Sequence, residues 1–123
     1  MSDLTPEVVL LDRRIEAGEL RRLVARFEDM VKYVADLERA VIAIGGEMHA
    51  DAEALLLETG SRQADLWGAN YYPGRGRDDC IEFTSLINIR PSAGNRGMEL
   101  MDPALRARLR EITFTLVGEG EPL

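Results

Sequence analysis

Hydrophobic side chains recur every three or four residues through residues 18–46, which is the clearest apolar pattern of the chain. This spacing places them on one side of a helix, with charged residues on the opposite side. Gly45 and Gly46 follow as a helix stop. The pattern predicts one long helix, or two helices with a bend near Asp29. Its apolar stripe consists of Leu20, Leu23, Val24, Phe27, Val31, Val34, Leu37, Val41 and Ile44.

Alternation replaces this spacing in residues 47–91, where a β-meander is predicted. A first strand within 47–58 is followed by a turn at Thr59-Gly60-Ser61 and by a second strand within 65–73. Residues 73–79 then form another turn. Residues 80–91 show the clearest strand alternation, with Glu82 and Arg90 on the polar face. The opposite face is predicted to bury Ile81, Phe83, Ile87 and Ile89.

The sequence leaves two alternatives for the first element of the chain but predicts a helix as the last one. Residues 7–15 read as a strand, although Thr5-Pro6-Glu7 also resembles a helix start. Near the other end, Asp102 is a predicted N-cap with Pro103 in the first helical position. The buried stripe of that last helix is Leu105, Leu109, Ile112 and Leu116, and a frayed tail is expected from about residue 118.

Together these elements predict a single domain over residues 1–123 of the α+β class. An antiparallel β-meander sheet of three or four strands is preceded by a long helix, and the C-terminal helix packs on one face. The other face then meets solvent, a ligand or a second subunit.

Composition narrows the class of protein. The chain has 123 residues, of which 46% are hydrophobic and 30% charged, as in a soluble globular domain. Cys80 is the single cysteine, so no internal disulfide is expected. No apolar run is long enough to cross a bilayer and no signal-peptide pattern is present, which favours the cytoplasm. A net charge of −7 argues against non-specific nucleic-acid binding, and no cofactor motif is found.

Candidate chemistry centres on the only histidine, in the frame Glu47-x-His49-x-Asp51. On a strand, residues two apart point to the same side. His49 and Asp51 are therefore candidate catalytic residues for acid–base chemistry. A weaker hypothesis makes Glu47, His49 and Asp51 divalent-metal ligands, although we expect no metal. The plain alternative is a polar strand face without a function.

A second cluster of candidates follows the predicted strand of residues 80–91. Arg90, Asn95 and Arg96 are candidate ligands for an anion, because arginine binds carboxylate or phosphate through two parallel hydrogen bonds. The alternative pairs these arginines with nearby carboxylates. Trp67 and Asn70 of the preceding strand are further candidate ligand-binding residues.

Two long stretches, GGEMHADAEALLLETGSRQADLWGANYYP and IEFTSLINIRPSAGNRGMEL, resemble a small bacterial family known as a domain of unknown function. The resemblance covers roughly residues 27–117. It implies one shared site made from His49, Asp51, Arg90, Asn95 and Arg96. Gly97 stands where the family pattern has serine after the arginine, so no role of that serine transfers.

Three functions follow as hypotheses. The first is a small-molecule site for an anionic ligand on the open sheet face, with His49 and Asp51 available for acid–base work. The second is a non-enzymatic interaction module in which the sheet face forms a homodimer interface. The third, weaker one is a divalent-metal protein.

Overall fold

A computed structural model describes residues 7–123. Over these residues the chain forms one five-stranded antiparallel sheet, in the order β1-β3-β2-β4-β5. The predicted α+β class with an antiparallel sheet and a C-terminal helix is confirmed, although the sheet is larger than predicted. The strands are β1 (Val8–Leu11), β2 (Val31–Asp36), β3 (Val41–Gly45), β4 (Leu66–Tyr71) and β5 (Ile81–Glu82), and the helices are α1 (Ala17–Ala25), α2 (His49–Glu58) and α3 (Pro103–Leu116).

Helices lie on both faces of the sheet. The larger core holds α1 and α3 against one face, with Tyr33 and Trp67 among its buried side chains. A smaller core holds Ala52 and Leu56 of α2 against Val34 on the other face. The prediction that this second face would be left open is therefore corrected, because α2 covers part of it.

The long helix predicted over residues 18–46 is wrong beyond its first turns. Only α1 is helical, and the remainder forms the β2–β3 hairpin. β2 and β3 are buried on both faces, so their apolar runs lack the alternation that marks a half-exposed strand. The hairpin turn also lacks glycine and proline. Instead, buried Asp36 accepts the backbone N–H groups of Glu38 and Arg39 at 2.9 and 2.8 Å, while Ala40 takes a positive φ of 57°.

The strand predicted within residues 47–58 is also wrong, because His49–Glu58 is helix α2. Alanine, leucine and glutamate dominate this segment, and all three favour helix. Ala52 and Leu56, four residues apart, are fully buried on one side of the helix. Asp51 accepts the backbone N–H of Met48 at 3.0 Å and so closes the first turn. The Gly45-Gly46 pair therefore separates a strand from a helix and does not end a helix.

The strand predicted over residues 80–91 is confirmed only at β5. Beyond Glu82 the chain forms short 3-10 turns at Leu86–Asn88 and Pro91–Ala93. Phe83 is buried as expected, but Ile81 and Ile87 are half-buried and Ile89 is 43% exposed. The strand stops because the Asn88 side chain makes the hydrogen bonds to the Gly68 backbone that a longer β5 would make.

The first strand, the strand within residues 65–73 and the start of the last helix lie where the sequence predicts them. β1 and β4 lie within the strands predicted for 7–15 and 65–73, although Thr5 and Pro6 of the helical alternative lie outside the described residues. Asp102 caps α3 as predicted, accepting the backbone N–H of Ala104 at 2.8 Å. In the last residues, where the sequence predicts a frayed tail, the carbonyl of Gly120 accepts the N–H groups of Gly74 and Gly76 at 3.0 Å. No helix within residues 7–123 is both long and apolar enough to span a bilayer.

Candidate functional site

His49 is the first residue of α2 and lies over strand β4. Its Nε2 is 2.9 Å from the carbonyl oxygen of Ala69. A carbonyl oxygen only accepts, so Nε2 carries the hydrogen and, in the neutral ring, Nδ1 is left as an acceptor. Burial lowers the pKa of His49, and the charge of Lys32 lowers it further, against the opposing contacts with Ala69 and Asn70. The imidazole is therefore neutral near pH 7.

Gly68 explains how the imidazole comes so close to the strand. A Cβ at this position would lie 3.2 Å from Cδ2 of His49 and 2.7 Å from Cβ of Ser85. Only a residue without a side chain leaves room for both neighbours. Since Cδ2 and Nε2 form the ring edge that faces β4, Nδ1 lies on the opposite edge.

A row of three polar side chains crosses the sheet beside His49. The strand register places Asn70 opposite Lys32 on one side and opposite Glu82 on the other. Asn70 is 7% exposed and donates from Nδ2 to Glu82 at 2.7 Å. Its Oδ1 is buried and has no hydrogen-bond partner among residues 7–123. The row thus fixes the amide while leaving its oxygen beside the imidazole.

Lys32, His49 and Asn70 line a cavity of about 490 Å³, which we call the His49 cavity. It lies on the α2 side of the sheet, between the start of α2 and the segment that follows β5. Its walls are mostly apolar, and Lys32, His49 and Asn70 are polar groups at its floor and side. The lining residues are Lys32, Glu47, Met48, His49, Ala50, Asn70, Thr84, Ser85, Leu86, Ile87 and Met98.

Asn88 and Asn95 hold the wall that follows β5. Asn88 is fully buried; its side chain accepts from the Gly68 N–H at 2.9 Å and donates to the Gly68 carbonyl at 3.0 Å. Asn95 donates to the carbonyls of Asn88, Gly97 and Glu99 at 2.8–3.0 Å. Its Oδ1 accepts the N–H of Met101 at 3.1 Å. Both polar atoms of the Asn95 amide are thus used within the chain.

The other predicted site residues lie elsewhere. Arg90 donates to the Leu66 carbonyl and stacks over Trp67, with 4.3 Å between its guanidinium carbon and the ring centre. Burial lowers the pKa of Arg90. Trp67 and Asn95 line a second cavity of about 350 Å³ beside the start of α3, and Arg96 is exposed.

Of the predicted site residues, only His49 and Asn70 line the His49 cavity, whereas Arg90, Trp67 and Asn95 lie together beside the second cavity. Arg90, Asn95 and Arg96 do not line the His49 cavity. Asp51 caps the first turn of α2 and is exposed to solvent. Residues two apart on a helix do not face each other, so the spacing that linked Asp51 to His49 on a strand no longer applies.

Lys32 is a charged cavity residue that is not among the predicted site residues. The helix predicted over residues 18–46 would put it on the polar side, whereas it belongs to β2 and lies half-buried beside Asn70. A signal was available, because Lys32 is the only lysine of the chain. For the metal hypothesis, residues 7–123 contain no group of three or more histidine, cysteine or carboxylate side chains arranged to hold an ion.

Comparison with known proteins agrees with the resemblance seen in the sequence. The family described as "Protein of unknown function (DUF5674)" matches residues 9–116. The chain belongs to this family. No curated protein and no solved structure matched the chain. Membership in the family assigns no reaction, so any function is argued from the site alone.

Proposed function

We propose that this member of the family is a small-molecule-binding domain whose ligand occupies the His49 cavity. The observation that carries the proposal is the position of His49, held by the Ala69 carbonyl in an apolar-walled cavity beside Lys32. Ligand sites commonly combine apolar walls with a few convergent polar groups, in cavities of about 300–1,000 Å³.

Acid–base chemistry is compatible with this arrangement. A backbone carbonyl that accepts from Nε2 fixes both the ring orientation and the tautomer of His49. The second ring nitrogen is then available to accept a proton from a bound molecule. Glu82 polarises the Asn70 amide, whose oxygen lies beside the ring and supports its protonated form.

A second candidate function is an interface between two copies of the chain. Met48, Leu86 and Met98 line the cavity and are 57%, 67% and 42% exposed. Clustered apolar side chains on a surface favour either an apolar ligand or a protein partner. Analytical ultracentrifugation separates these functions, because the interface hypothesis requires a dimer at micromolar concentration.

Indole, a small neutral aromatic molecule, is a suitable first probe of the cavity. Nuclear magnetic resonance of the ¹⁵N-labelled protein should show shifts confined to the cavity lining, above all at His49 and Leu86. Replacing Ala50 with tryptophan should fill the cavity from an exposed position and abolish these shifts. Ala54→Trp is the matched control, because Ala54 is exposed on the same helix and does not line the cavity.

The result that rejects the proposal is equally specific. If indole shifts no cavity resonance at millimolar concentration, or if Ala50→Trp binds indole as wild type does, the cavity is not a ligand site.

A further inference from the structure

Lys32 is a cation without a carboxylate partner in the described part of the chain. None of the nine ion pairs found among residues 7–123 involves it. It is half-buried on the sheet face, and its charge is close enough to His49 to lower the pKa of the imidazole. An ammonium group in such a partly apolar setting favours a bound anion, since burial of an unpaired charge is costly.

Glu47 is the one carboxylate that also lines the His49 cavity. It is exposed to solvent, where its charge is screened. Lys32 is therefore the charged group whose surroundings most favour a ligand of opposite sign.

His49 favours a hydrogen-bond donor on the ligand, in contrast to the anionic group favoured by Lys32. Its Nε2–H is already used by the Ala69 carbonyl, so Nδ1 is the ring nitrogen left to accept a hydrogen bond. Because the neutral ring presents Nδ1 as an acceptor, a carboxylate oxygen alone would be repelled there. An N–H or O–H donor on the ligand would satisfy it.

The apolar walls of the cavity indicate the chemistry of the rest of the ligand. Met48, Leu86, Ile87 and Met98 offer a mainly apolar surface around the two polar groups. A small inorganic anion would leave this surface in contact with water, whereas an apolar body would cover it. Flexible methionines also adapt to ligands of different shape.

From these three features we infer that the ligand class is an amphipathic monocarboxylate with one N–H or O–H donor on its apolar body. The carboxylate pairs with Lys32, the donor meets Nδ1 of His49, and the body lies between the methionine and leucine side chains. This inference rests on the proposed function, because it concerns the same cavity.

Four probes that share one ring system separate these contributions. They are indole-3-acetate, 1-methylindole-3-acetate, indole and tryptamine, with affinities measured by calorimetry and binding sites located by chemical shifts. Indole-3-acetate should bind about ten-fold or more tightly than tryptamine, whose ammonium group is repelled by Lys32. It should also bind more tightly than indole and than its own N-methyl analogue.

Variants assign each preference to a side chain. Lys32→Met should weaken indole-3-acetate about ten-fold or more while leaving indole unchanged, and Lys32→Arg should largely restore it. Arg21→Met is the control, because Arg21 is exposed on α1, away from the cavity. His49→Phe should abolish the difference between indole-3-acetate and its N-methyl analogue, because it removes the acceptor and keeps a ring.

The outcomes distinguish failure of this inference from failure of the proposed function. If indole enters the cavity but indole-3-acetate binds no more tightly than tryptamine, or Lys32→Met changes nothing, the ligand class is wrong and the cavity remains a binding site. Equal affinity for the N-methyl analogue in the wild type overturns the role given to His49. If none of the four probes shifts a cavity resonance, both the inference and the proposed function fail.

Discussion

Replacing Gly68 with alanine tests whether Ser85 and His49 pack directly against the backbone of β4 at Gly68. The added methyl carbon would lie 2.7 Å from Cβ and 2.8 Å from Oγ of Ser85, and 3.2 Å from Cδ2 of His49. Carbon atoms in contact prefer about 3.5–4.0 Å, so the overlap with Ser85 approaches 1 Å. The backbone of Gly68 does not lie in the left-handed region, so the cost arises from contact alone.

Ser85 has little freedom to move away. Its N–H donates to the Met98 carbonyl at 3.0 Å, and its own carbonyl accepts from Asn88 at 3.1 Å. Its hydroxyl oxygen also accepts from the Ile87 N–H at 3.2 Å. Overpacking in a closed site typically costs about 1–3 kcal/mol, and with Ser85 held in this way we expect Gly68→Ala to cost about 2–3 kcal/mol.

Urea unfolding with linear extrapolation measures this loss, and two further variants make it specific. Gly97→Ala is the control, because no heavy atom lies within 4 Å of its added carbon, and it should change stability by less than about 0.5 kcal/mol. Ser85→Gly removes both clashing atoms, so the double variant should be more stable than the sum of the single losses by about 1 kcal/mol or more. A Gly68→Ala protein as stable as Gly97→Ala would refute the close packing of Ser85 and His49 on β4.

The remaining predictions use the same unfolding assay. The free energy of unfolding should fall as the pH drops from 6.5, the ordinary pKa of histidine, through the lower pKa of His49 in the folded chain, because in this range His49 is protonated in the unfolded chain but not in the folded one. Subtracting the pH profile of His49→Phe separates this effect from that of the carboxylates. Parallel profiles of the two proteins would contradict the prediction. Asn88→Ala should cost about 2–4 kcal/mol, because it leaves the buried N–H and carbonyl of Gly68 unpaired, and a loss below about 1 kcal/mol would show that Asn88 does not end the sheet. Asp102→Ala should cost about 1 kcal/mol and Asp102→Asn much less, since asparagine also caps a helix; equal losses would point to charge and not to capping.

Sequence patterns succeed here where one side of an element faces solvent. α3 shows an exposed side and a capping aspartate, and its start is predicted correctly. Leu109, Ile112 and Leu116 of its predicted stripe are buried, whereas Leu105 is half-buried. β2 and β3 fail for the opposite reason. They are buried on both sides, so their apolar positions, together with those of α1, imitate the spacing of one long helix. Their turn depends on the buried Asp36 carboxylate, whose partner Ser61 is 25 residues away.

The candidate site, too, contains residues that the sequence singles out and residues whose position depends on the tertiary fold. His49 stands out in the sequence as the single histidine, and it lines a cavity, but its functional role stays a prediction. Lys32 could not be joined to it from the sequence, because their proximity depends on the pairing of β2 with β4. Arg90 and Asn95 carry the residue types of an anion site, yet Asn95 serves the backbone of its own segment and Arg90 packs on Trp67. Residue type alone does not separate these roles.

The cavity exists because β5 stops early. β2 pairs with all of β4, whereas β5 pairs only with Asn70 and Tyr71. Beyond that point the Asn88 side chain satisfies Gly68, so no further strand is needed at this edge. The chain is then free to pass over the α2 side of the sheet, where Ser85 and Ile87 line the cavity together with His49. A longer β5, as the alternation of residues 80–91 suggests, would keep this segment in the plane of the sheet and remove the cavity wall. The departure from regular strand pairing is therefore the step that creates the candidate site.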